Sequence, residues 1–361
     1  MPRGCHYPFL TLLLFFFTAQ STPPPQSLRQ AGEKAGVLVG TAVRPYLFSE
    51  APYAATLARE YNMVEPEDAM KWWAVRPAAD AFDFRQGDDV IRFAQVHAMK
   101  VRGHCLVWDH NNPDWLAQGH FTPAEMSRLL REHITTVMKH YAGQVFAWDV
   151  VNEALNEYGE FKDSPWYNRP GIGLANKRSA YVELAFRWAH EADPQALLFY
   201  NEADGEGLNR KSDAIYAMVK DFKRRGVPID GVGLQMHISQ SDLDTHAIAA
   251  NITRLNDLGL QVHITELDVS LPLYVRGEPP EPANASQQDL LRQAEIYRGV
   301  VRACRQNPGC TAIQTWGFTD KYSWIGSHAH GARGAALPFD RAYKTKPAYY
   351  ALLDALAGVG R

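Results

Sequence analysis

Short runs of β-branched, aromatic and aliphatic residues recur along the chain, and longer stretches with helical spacing of apolar residues separate them. This alternation is typical of a parallel sheet built from βα units. We predict strands at residues 37–42, 62–65, 101–107, 147–151, 196–200, 231–236, 261–265 and 312–316. Apolar spacing predicts helices between them, including 123–141, 180–192, 211–225 and 289–305. Eight repeats favour a single-domain (β/α)8 TIM barrel of the α/β class over an open doubly wound sheet, since no glycine-rich nucleotide-binding loop follows a strand.

Polar and aromatic residues crowd the C-terminal ends of these predicted strands, while the strand bodies are apolar. In a TIM barrel, functional residues lie at those ends and in the loops that follow them. The fourth strand ends at Asn152 and Glu153, and the seventh at Glu266 and Asp268. The other strand-end candidates are Trp108 after the third strand, Gln235 and His237 at the sixth, and Trp316 at the eighth. We therefore expect an active site on this rim.

Composition narrows the class of partner. The chain has 361 residues, of which 46% are hydrophobic and 21% are charged, as in an ordinary globular protein. Its formal net charge is −3 and no run of lysine and arginine stands out, so a nucleic-acid partner is not expected. Nine tryptophans and sixteen tyrosines would suit a cleft that stacks on the flat faces of sugar rings. We expect a monomer with a neutral partner and no cofactor.

The N-terminal segment has the features of a signal peptide. Arg3 and His6 precede an apolar run at residues 9–17, and small residues at 19–21 offer a cleavage position. The run is too short to span a bilayer well, so a membrane anchor is the less favoured interpretation. We predict a secreted protein, extracellular or periplasmic, with a signal peptide at 1–21, a short proline-rich segment at 22–32 and one catalytic domain at 33–358.

The four cysteines have different expected fates. Cys5 would leave with the signal peptide. Cys304 and Cys310 flank the turn sequence Asn307-Pro308-Gly309, which can bring their Cα atoms within bridging range, and we predict a disulfide between them. Cys105 lies in an apolar strand, where a free cysteine usually acts as a small buried hydrophobe. No cysteine or histidine spacing of the zinc type is present, so no metal site is expected.

Glu153 and Glu266 together support a chemical hypothesis. Hydrolysis of a glycosidic bond needs a carboxylic acid that protonates the leaving oxygen and a second carboxylate at the anomeric carbon. The fourth and seventh strands face each other across an eight-stranded barrel, so the two side chains can converge over its mouth. The pair therefore predicts a glycosidase.

Over most of its length the chain resembles glycoside hydrolase family 10, the family of barrel xylanases. The segments that carry the resemblance are Met70-Lys71-Trp72, Arg102-Gly103-His104, WDVVNEAL, GLQMHI, HITELDV, TWGFTDKYSW and KPAYYAL. It implies an endo-β-1,4-xylanase acting on xylan with retention of anomeric configuration, with Glu153 as acid/base and Glu266 as nucleophile. Two carboxyl groups close together would raise the pKa of one, so we expect Glu153 to be protonated and Glu266 ionised before reaction.

Supporting roles in catalysis are implied for residues next to this pair. Asn152 is expected to donate to the 2-hydroxyl of the sugar at the cleavage site. His237 is expected to keep Glu266 ionised through a hydrogen bond, with Asp268 orienting its ring. Gln235 is expected to position the acid/base.

The resemblance also implies a set of substrate-binding residues. They are Glu67, Lys71 and His104 as polar contacts on the non-reducing side, and Trp108, Trp316 and Trp324 as hydrophobic walls. Lys71, His104 and Trp316 each follow a strand end in the context of a motif.

At three positions the chain departs from the family pattern, which leaves the binding role of those residues open. Asp68 stands where the family has asparagine, and Asp109 and Asn111 stand where it commonly has histidine and glutamine after the tryptophan. A carboxylate cannot donate the hydrogen bond that an amide offers unless it is protonated. Either the subsites accept a differently substituted backbone, or the enzyme works at lower pH.

Two other functions stay open on the sequence. One is a retaining β-1,4-glycanase for glucan or a decorated polymer, because barrel glycosidases share paired glutamates across many substrates. The bulky Trp316 and Trp324 favour xylan, since they would exclude the hydroxymethyl group of glucose. The other is a non-catalytic carbohydrate-binding barrel, which would be expected to lack one of the two carboxylates.

Overall fold

The structure of the protein is a computed structural model that describes Met1 and residues 27–239, 243–273 and 285–358. The predicted signal peptide lies outside these residues apart from Met1, so it stays a prediction, as do the domain boundaries drawn from it. Within the described ranges, no helix combines the length and the apolar character that crossing a membrane would require.

Eight parallel strands form a closed barrel, which confirms the predicted fold class. Each strand pairs with the next along the chain, and β8 pairs with both β7 and β1. Ile313 of β8 lies opposite Val39 of β1 on one side and Ile264 of β7 on the other, so no edge is left open. The strands are β1 Leu38–Val43, β2 Met63–Pro66, β3 Lys100–Gly103, β4 Ala147–Asn152, β5 Leu197–Glu202, β6 Gly231–Leu234, β7 Gln261–Val269 and β8 Cys310–Thr315.

Short strands extend the rim at the C-terminal ends. The pair His237–Ile238 runs parallel to the end of β7. The pairs Leu271–Pro272 and Arg333–Gly334 form a separate antiparallel ribbon. The pairing of His237–Ile238 with β7 holds His237 beside the strand that carries Glu266.

Helices connect the strands, and local sequence explains several of their ends. Thr122 caps the helix that follows β3 with a reciprocal hydrogen-bonded box to Glu125, and Asn209 does the same with Ser212 after β5. Gly358 ends the last helix with φ 76°, a left-handed conformation that suits glycine. The helices are α1 Leu28–Ala35, α2 Ala51–Glu60, α3 Trp72–Val75, α4 Arg85–Val96, α5 Asp114–Ala117, α6 Pro123–His140, α7 Ala180–Ala192, α8 Arg210–Arg224, α9 Thr245–Asn256, α10 Gln287–Arg305, α11 Ile325–His328 and α12 Pro347–Ala357, with 3-10 turns at Pro45–Ser49 and Ala175–Lys177.

Helix α1 occupies part of the segment that the sequence analysis described only as proline-rich. Ser27 caps it by accepting a hydrogen bond from the backbone of Gln30, and Leu28 and Ala31 are buried. The backbone N–H of Leu28 donates to Glu60 Oε2 at 3.0 Å. The segment from Ser27 onward is therefore packed against the barrel.

The third strand is shorter than predicted. It ends at Gly103, because the following residues leave the ladder with β2 and run along β4 instead. The Leu106 N–H donates to the Asp149 carbonyl at 3.0 Å, and Val107 forms an isolated bridge with Val151. This path carries Trp108 to the rim beside the end of β4.

The predicted disulfide is confirmed. Cys304, in the last turn of α10, is bonded to Cys310 at the start of β8, with Cα atoms 5.3 Å apart. The bridge lies at the N-terminal end of β8, on the opposite face of the barrel from the strand-end carboxylates. Cys105 is a buried free cysteine, as expected.

Candidate active site

The two candidate catalytic carboxylates lie on the same rim but in different surroundings. Glu153 directly follows β4 with φ 53°, and its side chain is 19% exposed. Glu266 lies within β7 and its side chain is only 5% exposed. The left-handed backbone at Glu153 turns the chain out of the strand, whereas Glu266 keeps the ladder and its N–H donates to the Gln235 carbonyl at 3.0 Å.

A chain of amide side chains connects the two carboxylates. Gln235 Nε2 donates to Glu153 Oε1 at 3.0 Å and to Asn152 Oδ1 at 3.2 Å. Asn201 Nδ2 donates to the same Asn152 oxygen at 2.8 Å and to Glu266 Oε1 at 2.7 Å. Each carboxylate thus accepts from an amide donor that is itself fixed by Asn152.

Asn201, at the end of β5, was missed by the sequence analysis. Its position directly after the predicted strand at residues 196–200 was the available signal, but no quoted motif covers that strand. Thr265 Oγ1 donates to Asn201 Oδ1 at 2.8 Å, which orients the amide. A β-carbon at Gly233 of β6 would lie 2.1 Å from that same oxygen, so a glycine is needed for the Asn201 side chain to reach its place.

His237 lies between two carboxylates. Its Nε2 is 3.1 Å from Glu266 Oε2 and its Nδ1 is 3.0 Å from Asp268 Oδ2. Burial alone would lower the pKa of His237, but Asp268 and Glu266 raise it well above its usual value. The ring is therefore an imidazolium that donates to both carboxylates. Trp324 Nε1 also donates to Asp268 Oδ2, at 2.8 Å, so this indole is held by the catalytic network.

The pKa of Glu153 differs from expectation. Burial raises it, but the hydrogen bond from Gln235 and the positive charge of Lys162 outweigh burial and lower it below its usual value. Lys162 Nζ lies 3.5 Å from Glu153 Oε2. The expectation of a raised pKa is wrong for this arrangement, because a lysine from the loop after β4 reaches the carboxyl, and no motif in the sequence indicated that contact.

A fully buried cluster of charges lies inside the barrel near these residues. Arg102 of β3 pairs with Asp149 of β4, and His104 Nδ1 is 3.0 Å from Asp149 Oδ2 and 3.3 Å from Glu65 Oε1. Burial tends to raise the pKa of Asp149, but Arg102 and His104 hold it at about 2. Burial raises the pKa of Glu65 well above its usual value, with Asp149 adding to the effect. Arg102 thus neutralises Asp149, and the raised pKa of Glu65 favours its protonated form.

The polar and aromatic residues implied for sugar binding on the non-reducing side are close together. Lys71 Nζ lies 5.0 Å from the Trp108 ring centroid and 5.7 Å from that of Trp316. The ring of His104 stands edge-on to Trp316, with centroids 5.3 Å apart. The third polar group, Glu67, is held by Arg44, whose Nη2 is 2.6 Å from Glu67 Oε1. Arg44 was not predicted, because it lies after β1, outside the quoted motifs.

The three positions that depart from the family pattern lie in two different places. Asp68 is on the non-reducing side, with Oδ1 3.2 Å from Lys71 Nζ. Asn111 is exposed and has φ 53°. Asp109 instead lines a small recess together with Glu153 and Lys162, so it belongs with the acid/base rather than with Asp68.

Comparisons with known proteins identify the family of the chain. The model of glycosyl hydrolase family 10 matches residues 27–355. Endo-1,4-beta-xylanase B of Thermotoga neapolitana is 37% identical over 350 residues, which cover 96% of each protein. An endo-1,4-beta-xylanase of Agaricus bisporus is 35% identical over 90% of this chain and 92% of its own length. The crystal structure of xylanase 10B from Thermotoga petrophila, in complex with xylobiose, superposes with a TM-score of 0.86 at 38% identity, covering 94% of this chain and 99% of that one.

Proposed function

This chain belongs to glycosyl hydrolase family 10 and is an endo-1,4-β-xylanase, and we propose that it cuts internal bonds of xylan by double displacement with retention of anomeric configuration. Glu153 is the acid/base and Glu266 the nucleophile in this proposal. The observation that carries the assignment is the amide chain from Gln235 to Asn201, which holds one partly exposed and one buried carboxylate on the same rim. The acid/base has to reach the leaving group, which suits the partly exposed carboxylate. The nucleophile has to be held firmly against the sugar, which suits the buried one.

In the first step, Glu266 attacks the anomeric carbon while Glu153 gives its proton to the leaving glycosidic oxygen. Glu266 is suited to attack because His237 and Asn201 hydrogen-bond to its two oxygens, which fixes the orientation of the carboxylate. A sugar over Glu153 would displace the remaining solvent around its carboxyl. That desolvation raises the pKa of the carboxyl towards the protonated form that the step requires.

In the second step, the ionised Glu153 removes a proton from water, which attacks the glycosyl-enzyme and releases Glu266. Gln235 stabilises the ionised carboxyl at this stage because it donates to Oε1. Asn152 Nδ2 lies 3.3 Å from the same oxygen and is the amide of the chain that can turn to the 2-hydroxyl of the sugar. That contact strengthens as the transition state forms.

Export is part of the proposal and rests on the sequence of residues 1–21 alone. Expression of the full chain, followed by N-terminal sequencing of protein from the medium or periplasm, would test it. Mature protein should begin close to residue 22. Exported protein that begins at residue 1, or no export at all, would contradict this part without touching the catalytic assignment.

The catalytic roles can be separated with two alanine variants. Glu266→Ala removes the nucleophile, so hydrolysis of every xyloside should collapse. Glu153→Ala should lose xylan hydrolysis but keep the first step on an activated aryl xylobioside, whose leaving group needs no proton. Azide needs no general base, so it should restore turnover of that substrate and give a β-glycosyl azide. An α-product, or near-normal activity of Glu266→Ala on xylan, would overturn the assignment.

Substrate preference is tested by product analysis on xylan, glucuronoxylan, arabinoxylan and carboxymethyl cellulose in parallel. We expect internal cleavage of the xylans and little cleavage of the cellulose derivative, because Trp316 and Trp324 stand close to the His237 ring, which contacts the nucleophile, and leave little room for a hydroxymethyl group. Comparable rates on cellulose would favour the broader β-1,4-glycanase function instead.

A further inference from the structure

Lys162 is the charged side chain in direct contact with the carboxyl of Glu153. Its Nζ lies 3.5 Å from Glu153 Oε2, which is longer than a good charge-assisted hydrogen bond. The lysine side chain is 27% exposed, so the ammonium group keeps some freedom to move. Lys162 belongs to the loop after β4. Its flexible four-carbon side chain can move the ammonium group within the recess that Glu153, Asp109 and Lys162 line.

Asp109 lies on the other wall of the same recess. Its side chain is 12% exposed, and Oδ1 is buried without a hydrogen-bond partner among the described residues. The Nδ1 atom of the adjacent His110 is 3.4 Å from this oxygen but does not form a hydrogen bond with it. A buried carboxylate oxygen without a donor is costly: burial raises the pKa of Asp109, and the positive charge of Lys162 opposes that rise.

The other groups that face Glu153 are already engaged. Lys211 of α8 is buried and paired with Glu202 of β5 at 2.9 Å, so these two charges offset each other. Burial raises the pKa of Glu202 to about 7, and Lys211 limits that rise. Gln235, directly after β6, donates a hydrogen bond from its side-chain amide to Glu153. Glu266 on β7 is connected to Glu153 only through the amide chain. Lys162 and Asp109 are therefore the two oppositely charged side chains near Glu153 that are not held in ion pairs by other elements of the barrel.

Resting on the proposed function, we propose that Lys162 and Asp109 are positioning residues of the acid/base: Lys162 binds the carboxyl of Glu153 when it is ionised and moves towards Asp109 when it is protonated. The first state belongs to the glycosyl-enzyme, where Glu153 acts as base. The second belongs to the substrate complex, where Glu153 acts as acid. One lysine between two carboxylates serves both halves of the reaction because each half needs the opposite charge on Glu153.

Removing the charge of Asp109 and removing the charge of Lys162 should shift the pKa of Glu153 in opposite directions. Loss of the negative charge at Asp109 leaves Lys162 on Glu153, which favours the ionised carboxyl. Loss of the positive charge at Lys162 favours the protonated carboxyl. The acid must be protonated for the first step, so the alkaline limb of the pH profile of kcat/KM follows its protonation.

The test is the pH profile of kcat/KM on unactivated xylo-oligosaccharides for the wild type, Asp109→Asn, Lys162→Gln and the double variant. We expect the alkaline limb to move to lower pH by roughly half a unit to one unit in Asp109→Asn, and to higher pH by a similar amount in Lys162→Gln, as for single charges at short range. Lys162→Arg should keep the wild-type limb. The exposed residues Asp80 and Lys223 provide matched controls, as Asp80→Asn and Lys223→Gln, whose limbs should not move.

A second substrate separates this effect from loss of structure. On an activated aryl xylobioside the first step does not need the acid, so the alkaline limb of kcat/KM should stay in place in all variants. Shifts in the same direction for both charge variants, no shift in either, or equal shifts on both substrates would overturn the proposal. If Glu153→Ala itself retained xylan hydrolysis, the proposed function would fail instead, so the two failures are distinguishable.

Discussion

Asn201 Nδ2 lies 2.7 Å from Oε1 of Glu266 and joins the end of β5 to the nucleophile on β7, two strands away in the barrel. Glu266 accepts from His237 on its other oxygen, so the carboxylate is held between a neutral and a charged donor. A carboxylate held on both oxygens can change its charge in the transition state without having to reorient. This places Asn201 among the residues that touch the reacting group.

Asn201→Ala is expected to lower kcat/KM on xylan by about 10- to 100-fold. A hydrogen bond to a charged group contributes about 1.5–3 kcal/mol, and each 1.36 kcal/mol corresponds to a factor of ten. The matched control is Asn251→Ala, which removes another buried asparagine that donates to the backbone carbonyls of Gly205 and Glu206. It should lose stability while keeping kcat/KM. An Asn201→Ala enzyme with more than half of the wild-type value would exclude this role.

The buried ion pair between Arg102 and Asp149 makes a strong prediction about stability. Arg102→Met removes the guanidinium that pairs with the buried Asp149 and leaves only His104 beside that carboxylate, so we expect the free energy of unfolding to fall by about 3–5 kcal/mol. Glu65→Gln should cost less than about 1 kcal/mol, because Glu65 is already neutral and an amide can accept the hydrogen bond from Gln314. Urea denaturation of both variants measures the difference. Equal losses would mean that Glu65 is ionised in the folded protein.

The raised pKa of His237 predicts a pH-dependent contribution to stability. A histidine that binds its proton more tightly in the folded state stabilises the fold fully below the unfolded pKa of about 6.5, and that stabilisation is lost as the pH rises through the higher folded pKa. The stability difference between the wild type and His237→Asn should therefore be largest near pH 6 and shrink towards pH 9. Chemical denaturation across that range measures it. His110→Asn, at an exposed ring, is the control and should leave the wild-type profile unchanged. A difference that grows with pH would show that His237 is neutral.

The disulfide should contribute to stability and not to catalysis. Cys304 and Cys310 close a six-residue separation, for which chain entropy predicts roughly 2 kcal/mol. Their replacement by serine should lower the unfolding free energy by about that amount and leave kcat/KM on xylan intact, because the bridge lies at the opposite end of β8 from Trp316. A reducing agent should bring the wild type down to the double variant and leave the variant unchanged. A loss of activity in parallel with stability would contradict this separation.

Features that depend on nearby residues were readable from the sequence. The eight strands and the helices between them follow from apolar periodicity, and the Cys304–Cys310 bridge follows from a turn sequence between two close cysteines. Glu153 and Glu266 could be placed at strand ends for the same reason, and the motifs around them identified the family. The third strand was predicted too long, because nothing in the sequence of residues 101–107 shows where the chain stops pairing with β2 and begins to run along β4.

Features that depend on barrel closure were decided by the tertiary structure. Asn201 reaches Glu266 only because the register of β5 against β6 sets it opposite Gly233, where a larger residue would exclude it. Lys162 lowers the pKa of Glu153 because a loop folds back over the rim, a path that the lysine's own neighbours in sequence do not indicate. Residue type and periodicity determine which side chains stand at the rim. Strand register and loop path determine which of them touch, and a proton affinity depends on those contacts at distances of a few ångströms.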